Sequence, residues 1–91
     1  MKFALSQNYP NPFNPVTKID YDLPSDSYVS IRIYDIAGRQ MESLVNQNQQ
    51  AGYYTAGFSA SSLSSGVYFY WIEAKGINQS FSAVKKMMIL K

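Results

Sequence analysis

Asp20 and Asp22 stand two residues apart in the stretch Thr17-Lys-Ile-Asp-Tyr-Asp-Leu23. On an extended strand they project from one face, about 7 Å apart by the strand rise. That separation suits a pair of glycosidase carboxyl groups or two oxygens of a calcium site. Lys18 projects from the same face and no cleft is foreshadowed around it, so the simpler reading is a wet, charge-balanced strand face. The other carboxylates are Asp26, Asp35, Glu42 and Glu73. The chain has no Cys and no His. Thiol nucleophiles, histidine bases, disulfides and zinc sites built on Cys or His are therefore excluded. The many serines have no histidine to activate them, so no catalytic residue, metal site or cofactor is expected.

The formal charge of +2 is small, and the only basic cluster is Lys85, Lys86 and Lys91. Nucleic acid is not an expected partner, because phosphate binding needs a clustered basic surface. No apolar run approaches the ~20 residues of a transmembrane helix. No signal peptide is read at Met1, and a longer parent chain upstream is expected.

The elements are organised around Leu63-Ser-Ser-Gly-Val-Tyr-Phe-Tyr-Trp-Ile-Glu-Ala74. Val67 to Ala74 is rich in β-branched and aromatic residues and too short for a buried helix. Gly66 opens it with freedom to adopt positive φ. Alternation puts Tyr68, Tyr70, Ile72 and Ala74 on one face, and Val67, Phe69, Trp71 and Glu73 on the other. This predicts a central strand paired on both edges. If the first set faces the core, Phe69 and Trp71 lie on the outer face of the sheet. There they are either covered by neighbours such as the stems of Lys85 or Arg32, or they form a patch that docks a parent domain, a second copy or a sugar.

The remaining segments read as six more strands. Phe3 to Leu5 is a short first strand. Asn8 to Pro15, with three prolines, is a rigid entry loop whose Asn residues make local turns and whose Tyr9 and Phe13 anchor it to the sandwich edge. Thr17, Ile19, Tyr21 and Leu23 alternate inward, as do Val29, Ile31 and Ile33. Asp35 to Arg39 is a hairpin loop with Gly38 in the left-handed region. Met41, Leu44 and Val45 mark a weak, irregular edge strand, and Asn46 to Gln50 a solvated loop. Tyr53 to Ser59 is a fifth strand. Gln79 to Leu90 is the last, expected to be bulged or frayed. Turn signals recur at about the 8–12-residue spacing of sandwiches. The predicted fold is all-β, an immunoglobulin-like antiparallel sandwich of about seven strands in one domain over residues 1–91, with Ile19, Tyr21, Ile31, Ile33, Tyr68 and Ile72 in the core. With eight Tyr, five Phe and one Trp, rings compensate for the shallow core of so short a chain.

Six segments occur in an order that resembles one family. They are Asn8-Tyr-Pro-Asn-Pro-Phe-Asn-Pro15, Thr17-Lys-Ile-Asp-Tyr-Asp-Leu-Pro24, Tyr34-Asp-Ile-Ala-Gly-Arg39, Ala51-Gly-Tyr53, Leu63-Ser-Ser-Gly-Val-Tyr-Phe-Tyr70 and Lys85-Lys-Met-Met-Ile-Leu-Lys91. The chain resembles the type A C-terminal sorting domain of the type IX secretion system, and is similar to the related immunoglobulin-like domain of the flagellar hook-capping protein. The resemblance implies a non-catalytic module that directs an upstream cargo across the outer membrane to the cell surface or beyond, where a sortase removes it. It implies recognition through Gly66 and Tyr68 and through Lys85, Lys86 and Lys91. Phe58, Trp71 and Val84 depart from the residues usual at those positions and bear on the detail of the outer face. The rival reading is a structural or carbohydrate- or protein-binding accessory sandwich acting through Phe69, Trp71 and the Asn-rich loop, with weak self-association as one form of it.

Overall fold

The computed structural model describes residues 2–91. Its strands are β1 (Ala4–Leu5), β2 (Val16–Leu23), β3 (Ser27–Asp35), β4 (Gln40–Gln49), β5 (Gly52–Ser59), β6 (Gly66–Gly76) and β7 (Ser80–Ile89). They form two antiparallel sheets, β1-β2-β5 and β4-β3-β6-β7. β6 is paired on both edges, to β3 and to β7. In an immunoglobulin constant domain the fourth strand belongs to the sheet of the first, second and fifth. Here it edges the other sheet, beside β3.

Period-two alternation sets the core. Ile19, Tyr21 and Leu23 of β2, Val29, Ile31 and Ile33 of β3, and Tyr68, Tyr70, Ile72 and Ala74 of β6 are all buried between the sheets. One cluster joins Phe13, Ile19, Ile33, Phe58, Tyr68, Tyr70, Met87 and Ile89; a second joins Tyr21, Leu23, Val29, Ile31, Ile72 and Ala74. Leu5 and Leu44 pack against both. Phe58 meets Phe13 edge-on at 6.1 Å, so its departure from the family pattern concerns the core and not the outer face.

Two expectations fail for identifiable reasons. Asn46 to Gln49 is not a loop but the second half of β4, in register from Asn46 opposite Ser30 to Gln49 opposite Ser27. Polarity reports exposure and not backbone conformation; an edge strand needs a ladder on one side only. Two aromatic hydroxyls hold the tract, Tyr28 donating to Asn46 Oδ1 (2.6 Å) and Tyr21 to Gln49 Oε1 (2.7 Å). Irregularity appears instead as register shifts in the β3–β4 ladder, between Ile31 and Arg32 and between Ile33 and Tyr34. β7 is regular, pairing without a break from Ser80 to Ile89.

The β3–β4 hairpin is closed by one side chain. Asp35 Oδ1 accepts the backbone N–H groups of Ala37 and Arg39, both at 2.9 Å, and Oδ2 accepts Arg39 Nε at 2.7 Å. Gly38 turns the chain at φ 85°, in the left-handed region. Chiefly the Arg39 backbone N–H, with the Arg39 side chain and Ala37 N–H, holds the Asp35 carboxyl below its ordinary value of 3.8. A depressed carboxyl contributes stability that is fully present above the ordinary value and is lost as pH falls through the folded one. Melting temperature is therefore expected to fall below about pH 4, and Asp35→Asn to remove part of that slope. Parallel melting curves for both proteins between pH 5 and pH 2 would refute the assignment.

Candidate recognition surface

The antiparallel β6–β7 ladder sets the start of β6 beside the end of β7, so segments some twenty residues apart in sequence meet at one end of the sheet. Gly66 lies opposite Ile89, Tyr68 opposite Met87, and Phe69 opposite Lys86. Gly66 enters the strand at φ 152°, a conformation L side chains rarely adopt. Lys91 folds back on the same end: its N–H donates to Ser65 Oγ (3.0 Å) and its Nζ to Ser61 O (3.1 Å).

The sequence-predicted residues are not equivalent there. Tyr68 is buried, and its hydroxyl donates to Ser64 O at 3.0 Å, so it supports the turn from inside. Lys85 shares the inner face of β7 with Met87 and Ile89 and is half-buried. Lys86 lies exposed on the outer face with Met88 and Leu90. Of the three lysines, only Lys86 and Lys91 are exposed.

Phe69 and Trp71 occupy the outer face further along β6. The Arg32 guanidinium lies 5.2 Å from the Trp71 ring centroid, and Tyr34 tilts against it at 6.2 Å. Cover by Arg32 is thus as expected; Lys85, on the opposite face, takes no part. Trp71 stays 36% exposed, and with Tyr34, Ile36, Phe69 and Val84 it lines a shallow apolar depression.

Of the carboxylate pair, Asp20 accepts the hydroxyls of Tyr9 (3.0 Å) and Thr55 (2.6 Å), and among the described residues no group of three or more Asp, Glu, His or Cys is placed to hold a metal ion. Ser82 and Lys85 stand at the Ser-x-x-Lys spacing of some serine hydrolases. On a strand that odd separation puts them on opposite faces.

A polar cluster at the sandwich edge was less visible in the sequence. The Tyr70 hydroxyl donates to Ser6 O (2.7 Å) and accepts Asn8 N–H (2.8 Å). Asn8, and not Tyr9, is the buried residue at the start of the entry loop. Its Nδ2 donates to Thr17 Oγ1 (3.0 Å) and Pro10 O (3.2 Å), and Thr17 Oγ1 donates to Pro10 O (2.9 Å). Tyr9 lies on the surface, 46% exposed. Asn11 does not turn locally; its Oδ1 accepts Met88 N–H at 3.0 Å. Asn flanked by prolines is the available signal for such contacts, but local turns compete for the same reading.

A small β-sandwich that sets exposed basic and apolar side chains, Lys86, Met88, Leu90 and Lys91, together at the end of β7 has the make-up of a recognition module. Comparison with family models makes the class specific. Residues 7–90 match the Secretion system C-terminal sorting domain, and the chain belongs to that family. It is a non-catalytic sorting signal for type IX secretion, and proteins that carry such domains are secreted or displayed on the cell surface. It therefore works with the secretion machinery and with an upstream cargo. No curated protein and no solved structure matches the chain.

Removing the Tyr70 hydroxyl tests the polar cluster. Tyr70→Phe strands the Asn8 N–H and should cost about 1–3 kcal/mol in urea titration. Burial pushes the Tyr70 phenol up to about 12. Its stabilising contribution is full below the ordinary tyrosine value of about 10 and is lost as pH rises from there toward 12. The variant should lose less stability over that alkaline range than the parent. A cost below about 0.5 kcal/mol would mean the cluster does not hold the loop.

Proposed function

We propose that export is signalled by the folded end of the sandwich, where the Ser-Gly-Val-Tyr strand and the lysine tail lie side by side. The observation that carries this is the register: Gly66, Val67 and Tyr68 stand opposite Ile89, Met88 and Met87. Lys86, Met88, Leu90 and Lys91 are the groups offered to the machinery, because each is exposed at that end. Gly66, Tyr68 and Lys85 shape the surface from within. The module is the C-terminal part of its parent, and a surface sortase removes it from the cargo after passage.

Deleting the tail is a poor test, because loss of β7 would uncover core and sheet edge. Lys86→Glu with Lys91→Glu is cleaner, since exposed charges contribute only about 0–1 kcal/mol. A secreted reporter fused to the module, in a host with the cognate machinery, is expected to accumulate in the periplasm when both lysines are reversed. Circular dichroism and melting first establish that the variant is folded. Normal surface display of the folded variant would remove these lysines from the signal.

A second reading rests on the exposed Trp71 and its apolar surroundings, which suit contact with the cargo or a second copy. Trp71→Lys, which also removes the ring that Arg32 and Tyr34 pack on, should then lower the melting temperature modestly, leave the module folded and weaken any concentration-dependent sedimentation and cargo contact. Unchanged sedimentation and unchanged cargo contact would make the patch plain surface cover.

A further inference from the structure

The outward edge of β7 is closed over one part of its length only. Four successive edge groups in the tail are satisfied, one by Gln7 and three by the entry loop that follows it. Gln7 Nε2 donates to Lys86 O at 2.7 Å, and Asn11 Oδ1 accepts Met88 N–H at 3.0 Å. Phe13 N–H donates to Met88 O and Phe13 O accepts Leu90 N–H, both at 3.1 Å. Phe13 thus runs parallel to Ile89 as a one-residue strand. Before Lys86 the cover stops: β7 pairs only with β6, and among the described residues no loop bonds the edge groups of Ser82 or Val84.

The cover is anchored at both ends. Phe13 is buried against Phe58. Gln7 also donates to Asn8 Oδ1 (2.6 Å), which joins it to the buried cluster of Asn8, Thr17 and Tyr70. Asn11 is different. It is exposed, so its side chain adds nothing to the core. Its one side-chain hydrogen bond is spent on the tail.

We infer that the entry loop is part of the export signal. Gln7, Asn11 and Phe13 are positioning residues that fix the backbone of Lys86 to Leu90, so the machinery reads tail and loop as one surface. An unclasped tail would be a frayed end with a bare edge, and Lys86 would sample many positions. The inference rests on the reading of the tail as the signal.

Asn11→Ala tests it with little risk to the fold, because the residue is exposed. In the purified module, hydrogen exchange at the Met88 amide is expected to quicken about tenfold, in line with the loss of one hydrogen bond. Amides of β3 and the centre of β6 should be unchanged. In the reporter fusion, Asn11→Ala should lower surface display as the lysine reversal does. Asn11→Asp, which keeps an acceptor for Met88 N–H, should restore both readouts. Unchanged Met88 exchange, or faster exchange with normal display while the lysine reversal stalls, overturns the inference and leaves the tail reading standing. Normal display of the lysine reversal overturns the tail reading and the inference with it, whatever Asn11→Ala does. Failure of Asn11→Asp to restore display while it restores Met88 protection also overturns it, because the loop would then act by contact and not by holding the tail.

Discussion

The Tyr70 hydroxyl is the constraint on which the rest of this edge depends. It stands in the core on the central strand, fully buried, and both of its hydrogen bonds go to the backbone of the N-terminal segment. A phenol placed there without partners would cost about 1–3 kcal/mol. With partners it fixes Ser6 and Asn8 against a strand more than sixty residues away in sequence. Asn8 then completes Thr17 and Pro10, and the entry loop leaves the cluster in one direction. The loop has little regular backbone pairing of its own, so this cluster and Phe13 must hold it.

The same contacts explain how a short sandwich manages its edges. β1 is two residues long, and β4 is polar and irregular, both ordinary ways to discourage edge-to-edge pairing. β7 is long, regular and carries Met87 and Ile89 into the core. An edge of that kind invites another strand, and its tail half is closed by the loop. Hydrophobic burial alone would not do this, because the groups being satisfied are backbone N–H and C=O.

Much of the fold was legible because alternation is strict where both sheets press on a strand. Ile19, Tyr21, Leu23, Val29, Ile31, Ile33, Tyr68, Tyr70 and Ile72 all face the core as their spacing predicts. Legibility failed where side-chain polarity and backbone pairing part company. Asn46 to Gln49 is polar because it is an exposed edge, yet it is strand. Asn8 is polar yet buried, because Tyr70 and Thr17 meet it from distant parts of the chain. Alternation places Lys85 and Lys86 on opposite faces of β7, but it carries nothing about Lys91 folding back onto Ser61 and Ser65. Such pairings depend on which strands are neighbours, and single-sequence periodicity does not carry that information.

That limit bears on what a sorting signal is. A lysine-rich tail looks like a linear motif, readable by a receptor in any extended chain. In this structure the tail is a strand whose inner face is core, whose inner edge is paired to β6 and whose outer edge is bonded to the loop. Its basic groups therefore occur in fixed places only in the folded sandwich. Lys86 shares an exposed face with Met88 and Leu90, while Lys85, its neighbour in sequence, faces the other way. A receptor reading an unfolded tail would meet the two lysines as near equivalents. One reading the folded end meets Lys86 and Lys91 beside an apolar surface and finds Lys85 half-withdrawn. The fold thus turns a simple composition into a directional surface, and it does so with contacts drawn from both ends of the described chain.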